Sequence, residues 1–128
     1  MALSSERIAL DTNMLLAIPR FKVDVLSGII ERFGRIKFVI PKKVLEELEK
    51  MAKEGVKKKS DVSIVIEAIE KNNVKVIETG ARNADDALVE MAKQGFWIAS
   101  NDRVLRKRIK EIGAKNIYLK RKKLIEIE

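Results

Sequence analysis

The sequence predicts an α/β fold: a parallel sheet of about five strands with helices on both faces. Three observations carry that prediction. Short apolar runs of strand length alternate with longer segments of helical period along the 128 residues, which is the pattern of strand–helix–strand units. The runs IAL (8–10), FVI (38–40) and WIA (97–99) are apolar throughout, as strands covered on both faces are. Breakers and capping residues such as Pro41, Gly55 and Asn83 fall at the joins between segments.

In chain order, RIALD (7–11) reads as the first strand, followed by a short helical piece that stops at Pro19. VDVLSGIIERF (23–33) is a helix and IKFVI (36–40) the second strand. After Pro41, KKVLEELEKMAKEG (42–55) is a strong helix ended by Gly55, with an apolar stripe at Val44, Leu45, Leu48, Met51 and Ala52. VKKKS (56–60) reads as a loop leading to a cap at Ser60 or Asp61 and the helix VSIVIEAIEKNN. VKVIE (74–78) is the third strand, TGARN a loop, and ADDALVEMAKQG (84–95) a helix capped by Asn83. FWIAS (96–100) is the fourth strand, DRVLRKRIKEIG (102–113) a helix, and NIYLK (116–120) the fifth strand. The tail RKKLIEIE offers an edge strand, and residues 1–128 are expected to form one domain.

Composition narrows the chemistry. There are 27 Lys and Arg against 19 Asp and Glu, a net charge of +8, which favours a polyanionic partner, nucleic acid before an acidic membrane surface. No apolar run approaches the roughly 20 residues of a membrane span. The start MALSSER lacks the features of a signal peptide, so a cytoplasmic location is expected. The chain has no Cys and no His. Disulfides, thiolate nucleophiles and the usual imidazole base are therefore excluded. An active site must be built from carboxylates, Lys or Arg, hydroxyls and a hard metal ion.

The carboxylates gather at one end of the expected sheet, where open parallel sheets bind ligands. Asp11 closes the first strand, Asp102 follows the fourth, Glu46 and Glu47 follow the second, and Asp85 and Asp86 open the helix after the third. Helical spacing chooses within the pairs. Glu47 borders the apolar stripe while Glu46 points away; Asp85 precedes Leu88, Val89 and Ala92 by three, four and seven, while Asp86 turns outward toward Asn83. Taken singly, Asp11, Asp85 and Asp102 are ordinary acids at helix N-termini. Together, Asp11, Glu47, Asp85 and Asp102 would repel one another unless a cation lay between them. Hard oxygen donors suit Mg²⁺ or Mn²⁺. Asp86 is the reserve candidate.

The stretches LDTN (10–13), VLEELEK (44–50), ADDALVEMA (84–92) and ASNDRVLRKRI (99–109) resemble the PIN-domain ribonucleases over nearly the whole chain. The pattern ADDALV…ASNDR with the helix that follows is similar to the archaeal and eukaryotic branch linked to small-subunit rRNA processing. The toxin nucleases of toxin–antitoxin pairs share the four acids but are less similar around SNDR. The resemblance implies a three-layer α/β/α sandwich and metal-dependent hydrolysis of RNA phosphodiesters, with Asp11, Glu47, Asp85 and Asp102 around one or two ions. Thr12 and Ser100 match positions where the family carries a hydroxyl that shapes the site. It also implies single-stranded RNA as substrate, pre-ribosomal particles as a setting and a homodimer as the assembly.

On the substrate side, Arg103, Arg106, Lys107 and Lys110 recur at i, i+3, i+4 and i+7 and give one helix a basic face. It reads equally well as a phosphate-binding face or a solvated one. Lys57–Lys59 and Lys120–Lys123 are further basic clusters, and Phe96 and Trp97 read as core. A non-catalytic RNA-binding domain, with the acids as caps, is the rival from another class. A receiver-type domain usually has an acidic pair at the end of its first strand, and a haloacid-type phosphatase a second acid where this chain has Asn13.

Overall fold

The computed structural model describes residues 6–128; the leading MALSS, on which the expectation about a signal peptide rests, lies outside the described residues. The chain starts in the middle of its sheet. Strand β1 (Glu6–Leu10) leads into helices α1 (Thr12–Phe21) and α2 (Val25–Phe33), then strand β2 (Ile36–Pro41). Helices α3 (Lys42–Met51) and α4 (Val56–Lys71) precede β3 (Lys75–Ile77), and α5 (Ala84–Lys93) precedes β4 (Trp97–Ala99). The chain finishes with α6 (Arg103–Glu111), β5 (Asn116–Lys120) and β6 (Leu124–Ile127).

The sheet has six strands in the order β3-β2-β1-β4-β5-β6. The first five in sequence run parallel, with Ile8 opposite both Phe38 and Trp97. β6 returns antiparallel beside β5, so the tail does form an edge strand and the sheet is mixed at that edge only. Successive residues of a strand point to opposite faces, and the two cores follow that alternation. Ile8, Leu10, Phe38, Ile40 and Ile117 belong to a core shared with α1 to α4; Ala9, Val39 and Ile98 belong to a second one shared with α5 and α6. This is the expected three-layer sandwich. Phe96 is buried in the second core, and Trp97 packs edge-on against Phe33 at 5.5 Å between ring centroids, so both aromatics serve the interior.

Most boundaries shift by a residue or two from those expected, and three of the differences have an identifiable cause. Helix α1 does not stop at Pro19 but runs to Phe21. Proline removes one amide donor, yet the burial of Met14, Leu15, Leu16 and Ala17 holds the turn, and the chain leaves the helix at Lys22 with φ 53°. The strong helix ends at Met51 rather than Gly55. VKKKS is not a loop: α4 begins at Val56, with Gly55 at φ 139° in the capping position. Ser60 and Asp61 therefore lie inside the helix and cap nothing. Pairs four residues apart explain the shift: Lys58 reaches Glu54 at 2.9 Å and Lys57 reaches the buried Asp61 at 3.3 Å.

Candidate active site

The strand order reverses between β1 and β4: the chain moves outward through β2 and β3 on one side and through β5 and β6 on the other. Such a reversal opens a crevice at the carboxyl ends of the two strands. Asp11 and Ser100 are the residues immediately beyond those ends.

Asp11 is 5% exposed and caps α1, its Oδ1 accepting the Thr12 N–H at 2.8 Å. Its other oxygen, Oδ2, accepts the hydroxyl of Ser100 at 2.7 Å. That serine is fully buried, and its Oγ also accepts the Asp102 N–H at 3.0 Å. Asn116 on β5 steadies it by donating to the Ser100 carbonyl at 3.1 Å. Thr12 in turn donates its hydroxyl to Glu47 Oε1 at 3.2 Å. Two residues thus tie three acids together: Thr12 links Asp11, through its N–H, to Glu47, through its hydroxyl, and the Ser100 hydroxyl links the Asp11 carboxylate to the Asp102 backbone. Asp102 caps α6 through the Leu105 N–H at 3.0 Å.

Asp85 joins this group through its field rather than a bond. Burial raises the Asp11 carboxyl from 3.8 to about 6, against the lowering effect of Ser100 and Thr12, with Asp85 and Glu47 adding repulsion. Partial desolvation raises Glu47, offset by Thr12 and reinforced by Asp85. Desolvation likewise raises Asp85, with Asp102 adding to it and Arg108 opposing it. Asp86 also raises Asp85 and lines the same cavity, so it is not turned away from the site as expected. Its oxygens are nonetheless engaged: it accepts Arg108 Nη2 at 3.0 Å and the Asn83 amide at 3.3 Å.

Each acid that is desolvated here feels another acid, which is the condition a divalent cation relieves. The donors are all oxygen, and that chemistry fits Mg²⁺ or Mn²⁺. Among the described residues no three acids are drawn together into a ready-made metal cluster. Caps and hydroxyls hold Asp11, Glu47 and Asp102 in place, while Asp85 makes no such bond to the described residues.

Glu47 and Asp85 line a cavity of about 550 Å³ whose wall also holds Glu46, Asp86, Lys43, Lys50, Arg82 and Arg108 but neither Asp11 nor Asp102. These four cations were not singled out in the sequence. Lys43 and Lys50 could have been, since they flank Glu47 by four and three residues on one helix face. Arg108 could not, because only packing brings α6 against α5. The charge of Arg108 opposes the rise of the Asp85 carboxyl. The face expected to bind RNA is exposed at Arg103, Lys107 and Lys110. Arg106 is engaged instead: its Nε meets Glu128 at 2.9 Å and its guanidinium lies 3.9 Å over the Tyr118 ring.

A profile described as a PIN like domain matches residues 8–122. The chain belongs to the PIN-like domain family. This PIN domain is 34% identical over 121 residues to Ribonuclease VapC9 of Archaeoglobus fulgidus, covering 92% of this chain and 86% of that protein. It is 29% identical over 126 residues to Ribonuclease VapC4 of Methanocaldococcus jannaschii, covering 94% and 95%. Its fold is similar to the solved PIN domain endonuclease Utp24, with a TM-score of 0.77 and 23% identity over 95% of this chain and 90% of that one. No helix among the described residues is long and apolar enough to cross a membrane.

Proposed function

We infer that this PIN domain is a metal-dependent endoribonuclease that hydrolyses phosphodiester bonds of single-stranded RNA. The observation that carries it is the convergence of four acids at the switch point of the sheet, where Asp11 is raised by Asp85 and Glu47, Glu47 by Asp85, and Asp85 by Asp102. The ribonuclease names of the two curated relatives support the reaction class. One or two Mg²⁺ or Mn²⁺ ions are the cofactor, held by Asp11, Glu47, Asp85 and Asp102. A divalent ion, when bound, would supply positive charge for the phosphodiester and lower the pKa of water, so no His is needed as a general base.

The chain's own residues prepare the place. Ser100 and Thr12 fix the rotamers of Asp11 and Glu47, so oxygen donors face the crevice before anything binds. The caps of α1 and α6 hold Asp11 and Asp102 at the strand ends. Lys43, Lys50, Arg82 and Arg108 line the approach and lower the cost of bringing a polyanion to a carboxylate site. The resemblance around ASNDR supports ribosomal RNA precursors as substrate and pre-ribosomal particles as partners; the wider family resemblance supports a homodimer, and the sequence reading a cytoplasmic setting. A toxin-type ribonuclease is the second reading, supported by the whole-length similarity to the two VapC ribonucleases.

The test is cleavage of a labelled single-stranded RNA. Activity stops in EDTA and returns with Mn²⁺ or Mg²⁺. Equal activity in EDTA, with contaminating nuclease excluded, would sink the metal mechanism. RNA binding without cleavage and without Mn²⁺ uptake would favour a non-catalytic RNA-binding domain.

A further inference from the structure

A second cavity, of about 370 Å³, opens between the end of α1 and the β5–β6 turn, and its wall includes Asn13 and Asn101, neighbours in sequence of Asp11 and Asp102. Arg20, Arg106, Arg121 and Lys122 line it together with Asn13 and Asn101, and no carboxylate does. The large cavity at the acids, by contrast, mixes both signs. Among the described residues Arg20, Arg121 and Lys122 form no ion pair, while Arg106 is paired with Glu128.

The wall is rigidly joined to the acids. Asn13 lies two residues after Asp11, and its Oδ1 accepts the Asn101 N–H at 3.3 Å. Asn101 precedes Asp102, and its Oδ1 accepts the Leu119 N–H at 2.7 Å. That last bond reaches the strand that carries the turn. In the turn the Lys123 N–H closes on the Lys120 carbonyl at 3.2 Å, with Arg121 at φ 54° and Lys122 at φ 63°. A turn with both central residues at positive φ favours Asn-Gly. Two long basic side chains stand there instead, and Lys122 lies 5.0 Å over the ring of Phe21, which is 39% exposed.

We propose that this cavity binds a backbone phosphate of the RNA strand next to the one held at the acids. The assignment rests on the ribonuclease reading for the identity of the strand, and on the cavity itself for the phosphate. Unpaired Arg and Lys side chains around a concave surface are the chemistry that neutralises phosphodiesters. The Asn13–Asn101–Leu119 bonds keep that surface in register with Asp11 and Asp102.

The experiment replaces the turn's charges with residues its backbone prefers, Arg121→Asn with Lys122→Gly, so the variant is expected to fold at least as well. Binding of a fluorescent single-stranded RNA is followed by anisotropy in EDTA across a salt series, without cleavage as a readout. The affinity falls, and the log–log salt slope drops by about 0.7 for each phosphate that is no longer neutralised. Lys93→Gln with Lys115→Gln, at the opposite end of the sheet, is the charge-matched control and changes the slope little. An unchanged slope in the turn variant, or an equal drop in the control, overturns the proposal. Cleavage by the unaltered protein with Mn²⁺ is scored separately. A slope change without any cleavage keeps the phosphate site and removes the nuclease reading; cleavage with no slope change does the reverse.

Discussion

At Asp11 one carboxyl serves two demands that oppose each other. As a cap and hydroxyl acceptor it is well bonded, yet burial and the acids opposite raise it from 3.8 to about 6. A carboxyl raised on folding contributes stability that is complete below its unfolded pKa and is lost as pH rises through its folded value. In the metal-free protein the stabilising contribution of a neutral Asp11 is therefore lost between about pH 4 and pH 6, at most about 3 kcal/mol. Asparagine caps a helix as well as aspartate does and does not titrate. Asp11→Asn is thus expected to abolish cleavage while raising the thermal midpoint in EDTA at neutral pH, with the gain vanishing near pH 4. A loss of stability at neutral pH with cleavage retained would return Asp11 to the role of a plain cap. Asp85→Asn should behave similarly in cleavage assays. Asp86→Asn should cost far less activity, because that carboxylate is spent on Arg108 and Asn83; if it proves the essential acid, the roles of the pair are exchanged.

Helix boundaries depend on how local propensity meets packing. Gly55 starts α4 from a backbone conformation with φ 139° and ψ 168°, a region open essentially to glycine alone. Nothing lies within 4 Å of a Cβ placed there, so the cost of Gly55→Ala is conformational rather than steric. Chemical denaturation should show a loss of about 1–3 kcal/mol, and no loss would mean that α4 starts elsewhere. On α6 the basic face is split by its neighbours. Arg106 is held by Glu128 and Tyr118, whereas Arg103 and Lys107 remain exposed. Arg103→Gln with Lys107→Gln should weaken RNA binding and reduce the salt slope by about 0.7 for every phosphate these side chains neutralise. A constant slope would mark this face as solvated surface.

For the molecule as a whole, the acids form an electronegative crevice in a chain of net charge +8. Basic side chains line two cavities: Lys43, Lys50 and Arg82 the one that Glu47 and Asp85 share, Arg20 and Arg121 the one at the β5–β6 turn. A cation and a polyanion are thus attracted to adjoining surfaces. Any ion that binds the folded chain alone stabilises it by mass action, about 2.7 kcal/mol at one hundred times its dissociation constant. Calorimetry at neutral pH should show the thermal midpoint rising with Mn²⁺, and the rise should be absent in Asp11→Asn. An equal rise in that variant would place the ion elsewhere.

The layers and the acids' general position were legible in the residues, because both follow from local pattern. Apolar runs such as FVI mark strands buried on two faces. Period-3.6 spacing, by contrast, had Glu46 and Asp86 point away, whereas all four acids of the two pairs line one cavity. The α4 start at Gly55 was missed because side-chain pairs four apart outweighed a polar composition that read as loop. Strand order was beyond reach: nothing in IAL or WIA says that β1 lies beside β4, since parallel pairing is made between segments some ninety residues apart. That one adjacency puts Ser100 against Asp11, sets the switch point, and brings Arg108 to Asp86 through α6. Spacing along the chain prescribes which face a side chain takes on its own helix or strand. Which faces then meet depends on how the whole chain buries its apolar surface.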